Sequence, residues 1–210
     1  MKRYLTEFIG TLFLVLTIGL SVLGGSPVAP LAIGVALTAM VYMGGHVSGA
    51  HYNPAVSLAM LLGGKFAAKD FIPYVVSQLA GAIAAALLVV AILGRTFAPA
   101  PGVGFPALPA LLVETAFTFA LALVVLNVGA TKANAGNSFY GIAIGFTVMA
   151  GAFAGGGVSG GAFNPAVGAG PILVQALLGG GTFANLWLYL VGPFVGGALA
   201  AAAFRVQERP

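Results

Sequence analysis

His46-Val47-Ser48-Gly49-Ala50-His51-Tyr52-Asn53-Pro54-Ala55-Val56 and, 111 residues later, Gly157-Val158-Ser159-Gly160-Gly161-Ala162-Phe163-Asn164-Pro165-Ala166-Val167 are one pattern written twice. Each copy ends in a helix start. Asn is a favoured N-cap, and Pro at the first helical position gives up an N–H that no helical carbonyl could have used. The same shift lays Ala32-Ile33-Gly34 on Ala143-Ile144-Gly145 without a gap. Further upstream, Glu7 and Glu114 each stand near the head of an apolar run, with Leu14 and Leu121 seven residues on. The chain is a duplication, with halves at about 1–98 and 107–206 of a single domain spanning 1–210.

The composition says where such a chain lives. Of 210 residues, 60% are hydrophobic and only 6% charged, and the mean hydropathy is +1.08. A soluble surface needs roughly a quarter of its residues charged, so this surface faces hydrocarbon. A membrane barrel alternates polar and apolar residues, whereas these segments are apolar all round, which selects helices. With no cysteine, disulfides and thiolate metal sites are excluded. The net charge of +4 comes from basic residues scattered singly over chain ends and loops, which is a topology signal and not a nucleic-acid patch.

Apolar runs long enough to cross a bilayer lie at roughly 5–24, 28–46, 71–94, 107–129, 137–156 and 184–204. Two more, at about 53–62 and 164–178, are too short to cross and begin with the Asn-Pro pairs. The expected fold is therefore an all-α membrane protein of six transmembrane helices and two re-entrant half-helices. Three spans per half is an odd number, so the second copy enters the membrane from the opposite side and the repeat is inverted. The half-helices then approach from opposite faces and point their N-termini at each other. Irregular backbone at that depth is tolerated only where it is shielded from lipid or lines a water-filled cavity, so the pattern implies a pore. Lys2, Arg3, Lys65, Lys69, Lys132, Arg205 and Arg209 fall on one side and Arg95 on the other. By the positive-inside rule both termini are cytoplasmic, in a multi-pass protein of the cell membrane.

These residues resemble the aquaporin and glycerol-facilitator family over essentially the whole chain. The resemblance rests on the paired Asn-Pro-Ala motifs, Glu7 and Glu114, the run from Gly44 to His51, Gln78-Leu79-Ala80-Gly81-Ala82 and Gly192-Pro193. It implies a homotetramer in the lipid bilayer with a pore in each subunit. Carried over residue by residue, it places Asn53, Pro54, Ala55, Asn164, Pro165 and Ala166 at mid-pore. The carbonyls of Gly49, Ala50, His51 and Tyr52, and of Gly160, Gly161, Ala162 and Phe163, become an acceptor ladder facing an apolar wall of Leu14, Leu37, Leu121 and Val148. Glu7 and Glu114 brace the re-entrant loops.

The family's outer selectivity filter maps to Ile33, Ala152, Gly161 and Val167. Water-selective members carry an arginine where Val167 stands, and the apolar set here is reminiscent of plant tonoplast intrinsic proteins. Losing a fixed charge and several donors makes the opening wider and less polar. The implied function is a passive channel for water and small neutral solutes such as glycerol, urea, ammonia or hydrogen peroxide, closed to ions and protons. Other readings are a strict glycerol facilitator, a coupled transporter using the buried carboxylates, and a non-conducting structural membrane protein. His46 and His51 lack the companions a metal needs, and no nucleophile with a base stands out, so no enzyme, cofactor or metal is expected.

Overall fold

The computed structural model describes residues 1–208; Arg209, counted above among the basic residues, lies outside them. Eight α-helices follow in order: α1 (Lys2–Leu23), α2 (Ala29–Ser48), α3 (Pro54–Leu62), α4 (Ala68–Leu93), α5 (Ala107–Gly129), α6 (Tyr140–Ser159), α7 (Pro165–Leu178) and α8 (Leu186–Gln207). Six of them have the length and hydropathy to cross a membrane. At 1.5 Å per residue the 22 residues of α1 run about 33 Å, close to the thickness of the hydrocarbon layer. The 9 residues of α3 and 14 of α7 cannot cross singly. Their N-termini meet, so together they make one interrupted crossing.

The helices pair in a pattern that repeats between halves. α1 packs on α2 and α4, as α5 packs on α6 and α8, while α2 meets α6 across the middle. α3 lies against α8 and α7 against α4, so each half-helix is held by a helix of the other half. Large apolar side chains point outward, among them Val76, Leu112, Phe153 and Leu199. That exposure is what a lipid-facing surface requires.

Glycine sets the closest approaches. A Cβ on Gly145 would lie 2.4 Å from the Gly34 carbonyl oxygen, and one on Gly34 would lie 2.8 Å from that of Gly145. The α2–α6 crossing thus sits on the residue pair that the 111-residue repeat equates. Likewise Gly81 lets α4 approach the Phe8 carbonyl of α1, and Gly196 lets α8 approach the Thr115 carbonyl of α5, each at a notional 2.4 Å. Small residues at such crossings are the usual means by which membrane helices come together.

The basic residues gather at one end. Arg3 pairs with Asp70 at 3.2 Å, and Tyr4 donates to the same carboxylate at 2.9 Å. Lys65 pairs with Glu208 at 3.0 Å, and Thr131 donates to Glu208 as well, so these donors hold that carboxyl below the usual carboxylate range. Arg95, at the opposite end, donates to the Leu23 carbonyl. Glu7 and Glu114 are not the only carboxylates within the long apolar helices. α4 begins earlier than its apolar run, and Asp70 stands in its first turn, where the helix dipole favours a negative charge.

Replacing Gly145 by Val should force α2 and α6 apart and destabilise the fold by about 1–3 kcal/mol or more. Gly129→Ala, where an added Cβ meets nothing within 4 Å, should be neutral or stabilise by up to about 1 kcal/mol. Thermal unfolding of the two variants in detergent checks both.

Candidate functional site

The site is built where α3 and α7 begin. Asn53 Oδ1 accepts the backbone N–H groups of Ala55 at 2.8 Å and Val56 at 3.4 Å, and Asn164 Oδ1 accepts those of Ala166 at 2.9 Å and Val167 at 3.4 Å. Both caps are therefore made by the Asn oxygen, which turns the amide nitrogen away from its own helix. Each nitrogen crosses to the other half. Asn53 Nδ2 donates to the Phe163 carbonyl and Asn164 Nδ2 to the Tyr52 carbonyl, both at 2.9 Å. A primary amide carries two N–H groups, so one remains on each Asn, and both residues line the cavity between them.

Ahead of each Asn the chain leaves helical geometry. φ is positive at Gly49, Ala50 and Tyr52, and at Gly160, Gly161 and Phe163. Left-handed backbone costs a non-glycine residue roughly 1–2 kcal/mol, and Ala50, Tyr52 and Phe163 all adopt it. Gly161 escapes that cost at the position equivalent to Ala50.

Buried carboxylates hold these turns. Glu7 accepts from Ser48 Oγ at 2.6 Å, His51 N at 3.0 Å, Tyr52 N at 2.7 Å and Gln78 Nε2 at 2.8 Å. Glu114 accepts from Ser159 Oγ at 2.7 Å, Ala162 N at 3.0 Å and Phe163 N at 2.6 Å. Both are fully buried, and neither lines the cavity. With the loop N–H groups drawn to the carboxylates, no hydrogen bond from the described residues occupies the carbonyls of Gly49, Ala50, His51, Gly160, Gly161 or Ala162. Those of Tyr52 and Phe163 are already engaged by the Asn nitrogens, so they differ from the other expected rungs. Tyr74 and Tyr189 complete the bracing, donating to the Ser48 and Ser159 carbonyls at 2.6 Å each. Sequence reasoning missed this pair. A shift of 115 residues equates them, but the intervening Gln78 falls opposite Pro193 and hides the match.

The cavity is narrow in the middle and wide at both ends. Its central section offers about 30 Å³ to the centre of a water molecule and is lined by all four expected wall residues, Leu14, Leu37, Leu121 and Val148, together with Asn53, Asn164 and His51. The chamber at the Arg95 end offers about 410 Å³ and that at the basic end about 510 Å³. Ile33, Gly161 and Val167 border both the central section and the Arg95-end chamber, whereas Ala152 lines the chamber alone. Ile18 shares that border; at the other border Val125 and Ile144 take the same place. None of these three was expected to line the cavity, although the repeat had paired Ile144 with Ile33; helix rotation decides which apolar residue turns inward.

The histidines do not come together as a metal site. His51 is buried with Nδ1 3.0 Å from Ser57 Oγ and its ring against Phe66 and Tyr74, while His46 is exposed in the basic-end chamber. Among the described residues no three His, Cys, Asp or Glu side chains gather.

A family model described as "Major intrinsic protein" matches residues 1–204. The chain is 37% identical to glycerol uptake facilitator protein-like 6 of Lactiplantibacillus plantarum, covering 99% of this chain and 98% of that one. It is 34% identical to aquaporin AqpM of Methanothermobacter thermautotrophicus (97% and 96% covered) and 36% identical to probable aquaporin TIP2-2 of Arabidopsis thaliana (97% and 86%). Among solved structures, the aquaglyceroporin of Plasmodium falciparum superposes with a TM-score of 0.86 at 24% identity, covering 97% of this chain and 94% of that one.

Truncating either carboxylate strands three or more buried donors, each costing about 1–3 kcal/mol. Glu7→Ala and Glu114→Ala should both lower the detergent unfolding temperature sharply. Glu7→Ala, which also removes the partner of one Gln78 N–H, should do so more. Unchanged unfolding in either variant would mean that the loops are held by something else.

Proposed function

Since the chain belongs to the major intrinsic protein family, we propose that it is a passive channel passing water and small uncharged solutes through a pore within each chain, while excluding ions and protons. The observation that carries this reading is the central section, where two Asn amides and two rows of free carbonyls face an apolar wall in about 30 Å³. Beside chambers of about 410 and 510 Å³ this section is the constriction of the path, and molecules pass it in single file. The carbonyls replace part of a solute's hydration, and the apolar wall keeps it from binding too well to leave.

Ion exclusion follows from the helix ends. Each half-helix N-terminus acts as roughly +0.5 of an elementary charge, and the two face each other at the narrowest depth. A cation meets this potential after shedding most of its water. A water between the two Asn side chains accepts from their free N–H groups, so its own hydrogens point outward to both sides. A chain of waters oriented in opposite directions cannot relay a proton through its centre.

Solute choice is assigned to Ile33, Gly161 and Val167, with Ala152 in the adjoining chamber. No charged side chain of the described residues lines this border, which supports passage of neutral solutes up to the size of glycerol. The named relatives include both aquaporins and a glycerol uptake facilitator-like protein. Similarity to the latter favours a strict glycerol facilitator as the second reading, and its distinguishing mark is slow water flux. Proton-coupled transport finds no support, because Glu7 and Glu114 are engaged away from the pore. We read the assembly as a homotetramer in the cell membrane with its basic end in the cytoplasm, following the family resemblance and the charge distribution.

Proteoliposome swelling with water, glycerol and urea tests the proposal. Wild type should conduct water and glycerol well above bare lipid. Val167→Arg should cut glycerol permeability by about tenfold, equivalent to about 1.4 kcal/mol of barrier, while water stays within about threefold. Equal losses for both solutes would remove Val167 from the filter.

A further inference from the structure

The narrow section ends in two borders, and the repeat maps one onto the other. Towards the outer chamber it is bounded by Ile18, Ile33, Gly161 and Val167; towards the inner chamber by Val125 and Ile144, with Ala50 and Val56 lining the section itself. The offset of 107 that equates Glu7 with Glu114 also equates Ile18 with Val125. The offset of 111 equates Ile33 with Ile144, Ala50 with Gly161 and Val56 with Val167. All four residues of the outer border thus have inner counterparts facing the same narrow section. The pairs match in chemistry as well as place, being branched apolar residues except for the small Ala50 and Gly161.

The inner residues are as fixed as the outer ones. Ile33 and Ile144 are 8% and 6% exposed, and Val167 and Val56 4% and 1%; Val125 is buried where its counterpart Ile18 is half-buried. β-Branched side chains have few rotamers to yield, and the crossing of α2 and α6 at Gly34 and Gly145 sets Ile33 and Ile144 each one residue from a tight backbone contact. Neither border can widen by a simple rotamer change.

We propose that Val125 and Ile144, with Val56, form a second, cytoplasmic-side selectivity ring equal in rank to the outer one, so that solute size is judged twice. The inference rests on the channel reading above. Resistances in series add. When two similar barriers limit a large solute, removing one raises flux by at most about twofold, whereas removing both raises it much further.

Erythritol, one carbon longer than glycerol, is the probe. Its permeability is measured by stopped-flow light scattering in proteoliposomes of the full chain, with protein per vesicle quantified, for wild type, Ile33→Ala, Ile144→Ala and the double variant. Each single variant should gain at most about twofold and the double about tenfold or more. Val125→Ala in place of Ile144→Ala should give the same pattern, which guards against one variant failing to fold. If Ile33→Ala alone reproduces the double variant, or if the inner substitutions add nothing to it, the second ring is refuted while the channel reading stands. A wild type that conducts neither water nor glycerol defeats the channel reading itself.

Discussion

Backbone that is not helical cannot lie at mid-membrane depth with its N–H groups unpaired, and the grip of two buried carboxylates on two such stretches is the condition on which the rest depends. Glu7 and Glu114 take the N–H groups of His51, Tyr52, Ala162 and Phe163. Because those donors are drawn to the carboxylates, the loop carbonyls other than those of Tyr52 and Phe163 are left without a hydrogen bond from the described residues. The left-handed residues that make this separation possible are strained at Ala50, Tyr52 and Phe163, and the buried hydrogen bonds to Glu7 and Glu114 offset the strain. The carboxylates thus hold the loops that lead into the two half-helices, whose starts are capped by Asn53 and Asn164.

The architecture was legible because its signals are local or periodic. Asn-Pro starts a helix by its own chemistry, and membrane spans follow from length and hydropathy. The ends were less legible. α6 was expected over about 137–156 and runs Tyr140–Ser159, because Gly155-Gly156-Gly157 looks like a place to stop. There, Gly155 packs against Val113 and Phe117 of α5, and tertiary contact outweighs propensity. α4 likewise begins before its apolar run, since Lys69 and Asp70 lower its hydropathy without breaking the helix. Within the site, residues tied to the motifs could be placed by the repeat. Ile18 and Val125 could not be chosen among their apolar neighbours until helix rotation was known, whereas Ile144 was already paired with Ile33 by the repeat.

The halves are not copies where polarity is concerned. Gln78 reaches both Glu7 and Ser57, and Ser57 meets His51. Pro193, Gly168 and Ala162 occupy the corresponding places in the second half and make no such network. The first half thus buries an imidazole and an amide in a hydrogen-bonded network that the second half lacks. Gly168 instead allows close approach to Tyr189, where an added Cβ would lie 2.4 Å from its side chain. Duplication preserved the backbone geometry and let the side chains diverge around it.

That divergence was possible because different atoms of the same motif do different work. In the proposed channel the barrier to ions comes from backbone dipoles and the Asn amides, and the caps hold these amides in place through the N–H groups of Ala55, Val56, Ala166 and Val167. Val167 contributes its N–H to the cap and its side chain to the border of the pore. Any residue other than proline supplies the same N–H, so the side chain at 167 can change without loosening Asn164. The proposed size and polarity selection therefore sits on positions that the proposed ion barrier uses only through their backbone. An apolar ring can replace a charged one while the mid-pore barrier, set by helix ends and amides, stays as it is.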